Sequence, residues 1–172
     1  MIRLKSLLTE ISLNSIAPYA TQFTWRDEGD GIHEAEITAD GERIIFAFVL
    51  TNRHHGAEYS FAMLSQDRGR EGFTVSHARS AAAGSINYLR LMRTAGEAVL
   101  DFLAIHAPIS VDVTGADTAS MVKDAQKTRI YRALLSANAA RIATAGYTVL
   151  DRGTHLYLVR KSTADSTGVS AT

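Results

Sequence analysis

The sequence predicts an α+β fold: a mixed, mainly antiparallel sheet flanked by helices. Three observations carry this. Residues 19–65 hold short alternating runs separated by turn residues. Two long stretches beyond residue 88 repeat their apolar residues every three or four positions. Strand-like runs at 109–114 and 147–160 follow those two stretches in turn.

Residues 2–13 read as a short amphipathic helix, with Leu4, Leu7, Leu8 and Ile11 on one side. A helix this short is marginal in water, so it is expected to dock on the sheet or on a partner. Gln22-Phe23-Thr24-Trp25-Arg26 alternates, and a turn cluster at 27–31 follows it. Residues 33–38 and 43–50 flank Asp40-Gly41, a strong short-range hairpin signal. Residues 44–50 are apolar on both faces, which predicts a central strand covered on both sides. After the loop Asn52-Arg53-His54-His55-Gly56, residues 58–64 read as the next strand. A charged loop at 67–72 and a short strand at 73–76 are expected. The Ala/Ser/Gly-rich residues 79–87 fit either helix or loop.

A helix is predicted from Tyr88 to His106, where two adjacent apolar rows make a wide buried stripe. Pro108 stops it. Ile109-Ser110-Val111-Asp112-Val113-Thr114 alternates as a strand, and residues 115–125 form a loop. A second helix over 126–145 ends at Gly146, a C-terminal cap residue. Strands at 147–150 and 155–160, joined by a turn at 152–154, close the order. The expectation is a single domain over 1–161 and a tail of small and polar residues at 162–172.

Composition narrows the function classes. The chain has 172 residues, 46% of them hydrophobic and 21% charged, which is globular and enough for one core. Lys+Arg and Asp+Glu are both 18, so the basic excess of a typical nucleic-acid binder is missing. There is no cysteine, which excludes disulfides, thiolate zinc sites and cysteine nucleophiles. No apolar run approaches the roughly 20 residues that span a bilayer. The first residues lack the uninterrupted apolar core of a signal peptide. No partner of nucleic-acid or membrane type is therefore expected.

Among candidates for chemistry, Glu34 and Glu36 stand at i and i+2, on one face of a strand. Such a pair suits acid–base work, because one carboxylate raises the other's pKa, and it equally suits the wet face of an edge strand. The six histidines, His33, His54, His55, His77, His106 and His155, show no helical metal-ligand spacing. They are read as solvated loop residues, and no metal site is expected. No Gly-x-Ser-x-Gly elbow and no Walker loop is present.

The element order, with Arg93-Thr94-Ala95-Gly96-Glu97-Ala98 inside it, resembles the GNAT N-acetyltransferase superfamily. That family opens its first helix after the meander with an Arg/Gln-x-x-Gly-x-Gly/Ala segment. The resemblance implies that Arg93, Thr94, Gly96 and Ala98 would hold the pyrophosphate of acetyl-coenzyme A at a helix N-terminus. It also matches Thr144-Ala145-Gly146-Tyr147 to the family's Gly-aromatic strand entry. It implies Tyr131 as the acid that reprotonates the leaving thiolate, and Glu34 or Glu36 as the group that deprotonates an amine. The helical periodicity makes the opposite prediction for Arg93, placing it within a helix whose amides are already bonded.

A second resemblance competes. Met1-Ile2-Arg3-Leu4-Lys5-Ser6-Leu7-Leu8-Thr9-Glu10-Ile11, and the helix start Gln126-Lys127-Thr128-Arg129-Ile130-Tyr131-Arg132, are similar to stretches of small tailed-bacteriophage proteins. That likeness implies a structural, assembly or host-interaction role without a cofactor. It also implies a protein partner or self-association, and a location in the host cytoplasm or the virion.

Overall fold

The computed structural model describes residues 15–65, 87–114, 116–117, 122–123, 125–153 and 155–162. The helix expected at 2–13, the charged loop at 67–72, the strand at 73–76 and most of 79–87 lie outside the described residues, as does nearly all of the tail.

Among the described residues the architecture is α+β, with one seven-stranded sheet and three helices. In chain order the elements are β1 (Arg26–Gly29), β2 (Ile32–Ala39), β3 (Glu42–Asn52), β4 (Glu58–Ser65), α1 (Tyr88–His106) and β5 (Ser110–Asp112). There follow β6 (Ala116–Asp117), β7 (Val122–Lys123), α2 (Ala125–Ala137), α3 (Ala139–Thr144), β8 (Tyr147–Asp151) and β9 (Leu156–Arg160). The main sheet has the order β1-β2-β3-β4-β5-β9-β8, while β6 and β7 form a separate two-stranded ribbon. Within the main sheet only β4 and β5 pair in parallel.

The first four strands form the expected meander. Asp40 and Gly41 both take positive φ, 49° and 83°, which the tight β2–β3 hairpin requires and which Asp-Gly tolerates. On β3, Ile44, Phe46 and Phe48 face the helices, while Ile45 and Ala47 point the other way. All five are buried, so this strand is covered on both sides. The alternation at 22–26 correctly marks Phe23 and Trp25 as the inward residues, but only Arg26 belongs to a strand. Residues 15–25 instead run as irregular chain over the helix face, where Phe23 meets Phe46 and Trp25 meets Phe48 and Phe102 edge to face.

Parallel pairing forces a long crossover, and α1 supplies it between β4 and β5. Asn87 caps its N-terminus by accepting from Arg90 N at 3.2 Å. Ala107 ends it in the left-handed conformation. The Phe102 ring stacks on Phe48 with centroids 3.7 Å apart, fixing the helix to the central strand. Tyr19 ties the irregular segment to α1: its amide donates to Thr94 Oγ1 at 2.8 Å, and Arg90 lies over its ring at 4.0 Å. Its hydroxyl also donates to Asp40 at the hairpin tip and accepts from Asn87 N.

The single helix predicted over 126–145 is two. At Asn138 the backbone leaves helical geometry (φ −107°, ψ 12°). Its side-chain amide donates to Leu134 O at 2.9 Å, which is how asparagine competes with a continuing helix. Phe61, a cross-strand neighbour of Phe48, meets Tyr131 of α2 on the face that holds Phe102 of α1. Both long helices therefore cover one face of the sheet. They meet at Gly96, where an added Cβ would lie 3.0 Å from Leu134 Cδ1 and 3.3 Å from Asn138 Nδ2. Among the described residues no helix is long and apolar enough to cross a membrane.

This contact yields a stability prediction. Gly96→Val places a branched side chain where even one methyl is tight. Urea unfolding of the variant is expected to show a loss of about 2 kcal/mol, within the usual cost of overpacking. An unchanged midpoint would mean the two helices are not held together there.

Candidate functional site

β4 and β5 stay paired for only three residues, Glu58–Ser60 against Ser110–Asp112. Beyond them β4 continues along β3, while the β5 chain stays with β9 through Val113 N, which donates to Leu156 O at 2.9 Å. The two strands thus part, and among the described residues no strand pairs with this edge of β4 after Ser60. Above this part of the sheet, Phe61 and Val113 line a cavity with Gly96 of α1, Tyr131 and Leu134 of α2 and Ile142 of α3. The cavity they leave is about 10 Å³, room for one water at most. Tyr131 is buried, and desolvation, with a smaller effect of Tyr88, raises its hydroxyl well above the ordinary phenol range. It therefore stays protonated at any physiological pH.

The four residues expected to hold a pyrophosphate all lie inside α1. A phosphate cradle at Gly96 needs a helix that begins there, but the helix begins at Tyr88. Each of the four is engaged in packing. Arg93 pairs with Glu97, one turn on. The Thr94 hydroxyl donates to Arg90 O at 2.7 Å while accepting from Tyr19 N. Gly96 admits Leu134 and Asn138, and Ala98 is fully buried.

Glu97 is the charged residue most deeply committed to this region. Arg141 of α3 grips both its oxygens, Nη1 to Oε1 and Nη2 to Oε2, each at 2.7 Å. The hydrogen bonds from Arg141 hold its carboxyl below the ordinary carboxylate value, against the opposing effect of burial and with help from the charges of Arg93 and Arg141. This fork–fork pair links α1 to α3.

Glu34 and Glu36 share a face, as predicted, but it is the face away from the helices. His33, one position earlier on β2, contacts Phe102 and His106 of α1, so its even-numbered neighbours point oppositely. Glu36 is half engaged already, at 2.5 Å from Arg43 Nη2 and 3.6 Å from Arg26 Nη2. The hydrogen bond from Arg43 lowers its pKa, which weakens it as a base. Tyr131 stands on the helix face. The sheet lies between the proposed acid and the proposed bases, and the structure does not bring them together.

It does bring together residues that sequence reasoning left as solvated. The rings of His33 and His106 lie 4.4 Å apart, centroid to centroid. The Tyr59 hydroxyl reaches to 3.4 Å from His33 Nε2, and Phe102 lies against both imidazoles. Trp25 closes the group, donating from Nε1 to Asp101 Oδ2 at 2.7 Å. Burial first, and His33 second, lower the pKa of His106, while Asp101 and Asp27 oppose them. His106 Nε2 is buried without a hydrogen-bond partner among the described residues. The signal was present in the sequence: His33 shares the inward register of Ala35, and His106 sits one helical turn after Phe102. His54 and His55 do lie on an exposed loop, as expected. Among the described residues no three His, Asp or Glu side chains are arranged to hold a metal ion.

No protein-family model, no curated protein and no solved structure matches this chain.

The Glu97 clamp gives a second prediction. Glu97→Ala leaves Arg93 in place without its partner and frees Arg141, which is half exposed. The expected loss is about 3 kcal/mol, at the low end for a broken buried pair. Because the carboxyl is held low, its contribution is complete above the ordinary value of 4.5 and is lost as pH falls from there through the lowered value. Denaturant unfolding at pH 7 and pH 3 should therefore show a smaller gap between wild type and variant at pH 3 than at pH 7.

Proposed function

We propose that this chain is a protein-interaction module, a structural, assembly or host-interaction protein of the tailed-bacteriophage type built on an N-acetyltransferase-like scaffold. Its contact surface is the outer edge of β8. The observation that carries this reading is the contrast between the two edges of the sheet. β1 is four residues long, carries Arg26, Asp27 and Glu28, and is bulged against β2. Charge, shortness and a bulge are the usual protections of an edge strand. β8 is different. It reads Tyr-Thr-Val-Leu-Asp, pairs with β9 on its inner side, and leaves Val149 and Leu150 at 36% and 38% exposure. Its one charge, Asp151, is held by Arg132 Nε and Nη2 at 2.5 and 3.1 Å. Among the described residues no strand pairs with its outer side, and such an apolar edge invites a further strand, from a second copy or from another protein. The location that goes with this role is the host cytoplasm or the virion.

Light scattering of wild type against Val149→Lys and Leu150→Lys tests it. Wild type is expected to self-associate, or to retain a partner strand, and each lysine variant to lose the complex while keeping its melting temperature within a few degrees. A protein that is monomeric and partnerless at every concentration would remove the proposal.

One observation favours a second reading, an acetyl-coenzyme A-dependent N-acyltransferase. A parallel pair that parts after three residues leaves main-chain groups on β4 without a strand partner among the described residues, and Tyr131, a protonated phenol, meets Phe61, the first β4 residue past the join. Calorimetry with millimolar acetyl-coenzyme A discriminates the two. The interaction reading expects no heat and no thermal shift; a shift that Tyr131→Phe leaves in place while abolishing acyl transfer would establish the enzyme instead.

A further inference from the structure

We propose that the His33–His106 pair is a proton-operated latch, whose protonation releases Trp25, the last residue of the irregular segment at 15–25, from α1. The proposal rests on how few groups hold that segment at this end. Trp25 is fastened by one hydrogen bond, to Asp101 Oδ2, and by edge contacts to Phe48, Phe102 and His106. His106 meets the indole edge to face at 6.5 Å between centroids, and the His33 ring lies 4.4 Å from that of His106. While both are neutral, they behave as flat aromatic surfaces and the slot is compatible with the indole.

Protonation changes both contacts. An imidazolium on His106 has two carboxylates acting on it, Asp101 from its own helix and Asp27 from β1. Asp101 is the acceptor that now holds the Trp25 N–H, and a cation is the stronger competitor for a carboxylate than a neutral indole. A second proton, on His33, sets two like charges face to face in a partly buried slot. From β4 only the Tyr59 hydroxyl faces His33, and it brings no counter-charge. From β3 comes Phe48, the apolar cross-strand neighbour of His33. From β9 comes a cation, Arg160, bonded to Ala107 O beside His106 at 3.1 Å. Asp101 cannot serve the imidazolium and the indole equally, and Trp25, fastened by that one hydrogen bond, is the neighbour that yields.

The sign follows from the histidine. His106 titrates below the ordinary value of 6.5, so the Trp25-released form takes up protons first. Closure is complete above pH 6.5 and weakens as pH falls below it toward the lowered value.

Trp25 is the only tryptophan in the chain, so its fluorescence reports on this contact alone. Emission maximum and acrylamide quenching should be measured from pH 7.5 to 5, with far-UV circular dichroism alongside. The expected result is a reversible red shift and a several-fold rise in quenching at constant dichroism. In His33→Gln the midpoint should move to higher pH, because the opposing charge is gone. In the double variant His33→Gln/His106→Gln the transition should vanish. Constant emission and quenching in wild type, a transition that persists in the double variant, or loss of the dichroism along with the shift would each overturn the latch. If the double variant does not fold, the direction of the His33→Gln midpoint still decides: no shift, or a shift to lower pH, refutes it.

Discussion

Three residues of parallel pairing hold this sheet together. Glu58–Ser60 on Ser110–Asp112 is the join between the meander β1–β4 and the trio β5, β9 and β8. Parallel strands cannot be linked by a tight turn, so this short ladder dictates a helix-length crossover and puts α1 over the join. The same geometry repeats one step on. β5 and β8 run in the same direction, since each is antiparallel to β9, and the chain between them carries α2 and α3 across the same face. The layer of helices is thus a consequence of the parallel direction in which β5 joins β4.

α1 must serve both halves at once, and its sequence shows how. Phe102 stacks on Phe48 of the meander, while Gly96 admits Leu134 of α2. Glu97, one residue from that glycine, is clamped by α3 through Arg141. A bulkier residue at 96 would push α2 outward and with it the carboxylate's partner. This explains why a segment that resembles a phosphate-binding motif has a different task here. Glycine is needed wherever two backbones approach closely, and a second helix can require that as well as a pyrophosphate can.

Much of the fold was legible because its signals are local. Asp40-Gly41 predicts its hairpin from two residues, and the two apolar rows of α1 predict its bounds. The misreadings arise where long-range contacts decide. Phe23 and Trp25 alternate like a strand, but they have no ladder partner, only aromatic rings to rest on. Asn138 breaks the second helix through its own side chain, a choice that periodicity alone cannot register. The site was less legible still. Glu34 and Glu36 were correctly placed on one face, but which face depends on where β3 and α1 lie. His33 and His106 are 73 positions apart in sequence, as the difference of their numbers shows, and meet only after the crossover is made.

The polar residues divide by how they are compensated, and that division separates structure from opportunity. Glu97 has a bidentate arginine, and Thr94 both donates and accepts; such groups are satisfied and have little left to give a ligand. Tyr131 is sealed among apolar walls. Among the described residues the outer edge of β8, with exposed Val149 and Leu150, has no strand partner, and a buried ring nitrogen of His106 has no hydrogen-bond partner. Unsatisfied capacity is what another strand or a proton can use. The first lies at one margin of the sheet and the second close to the other, with the three-residue join between them, so a partner bound at β8 need not disturb the histidine pair.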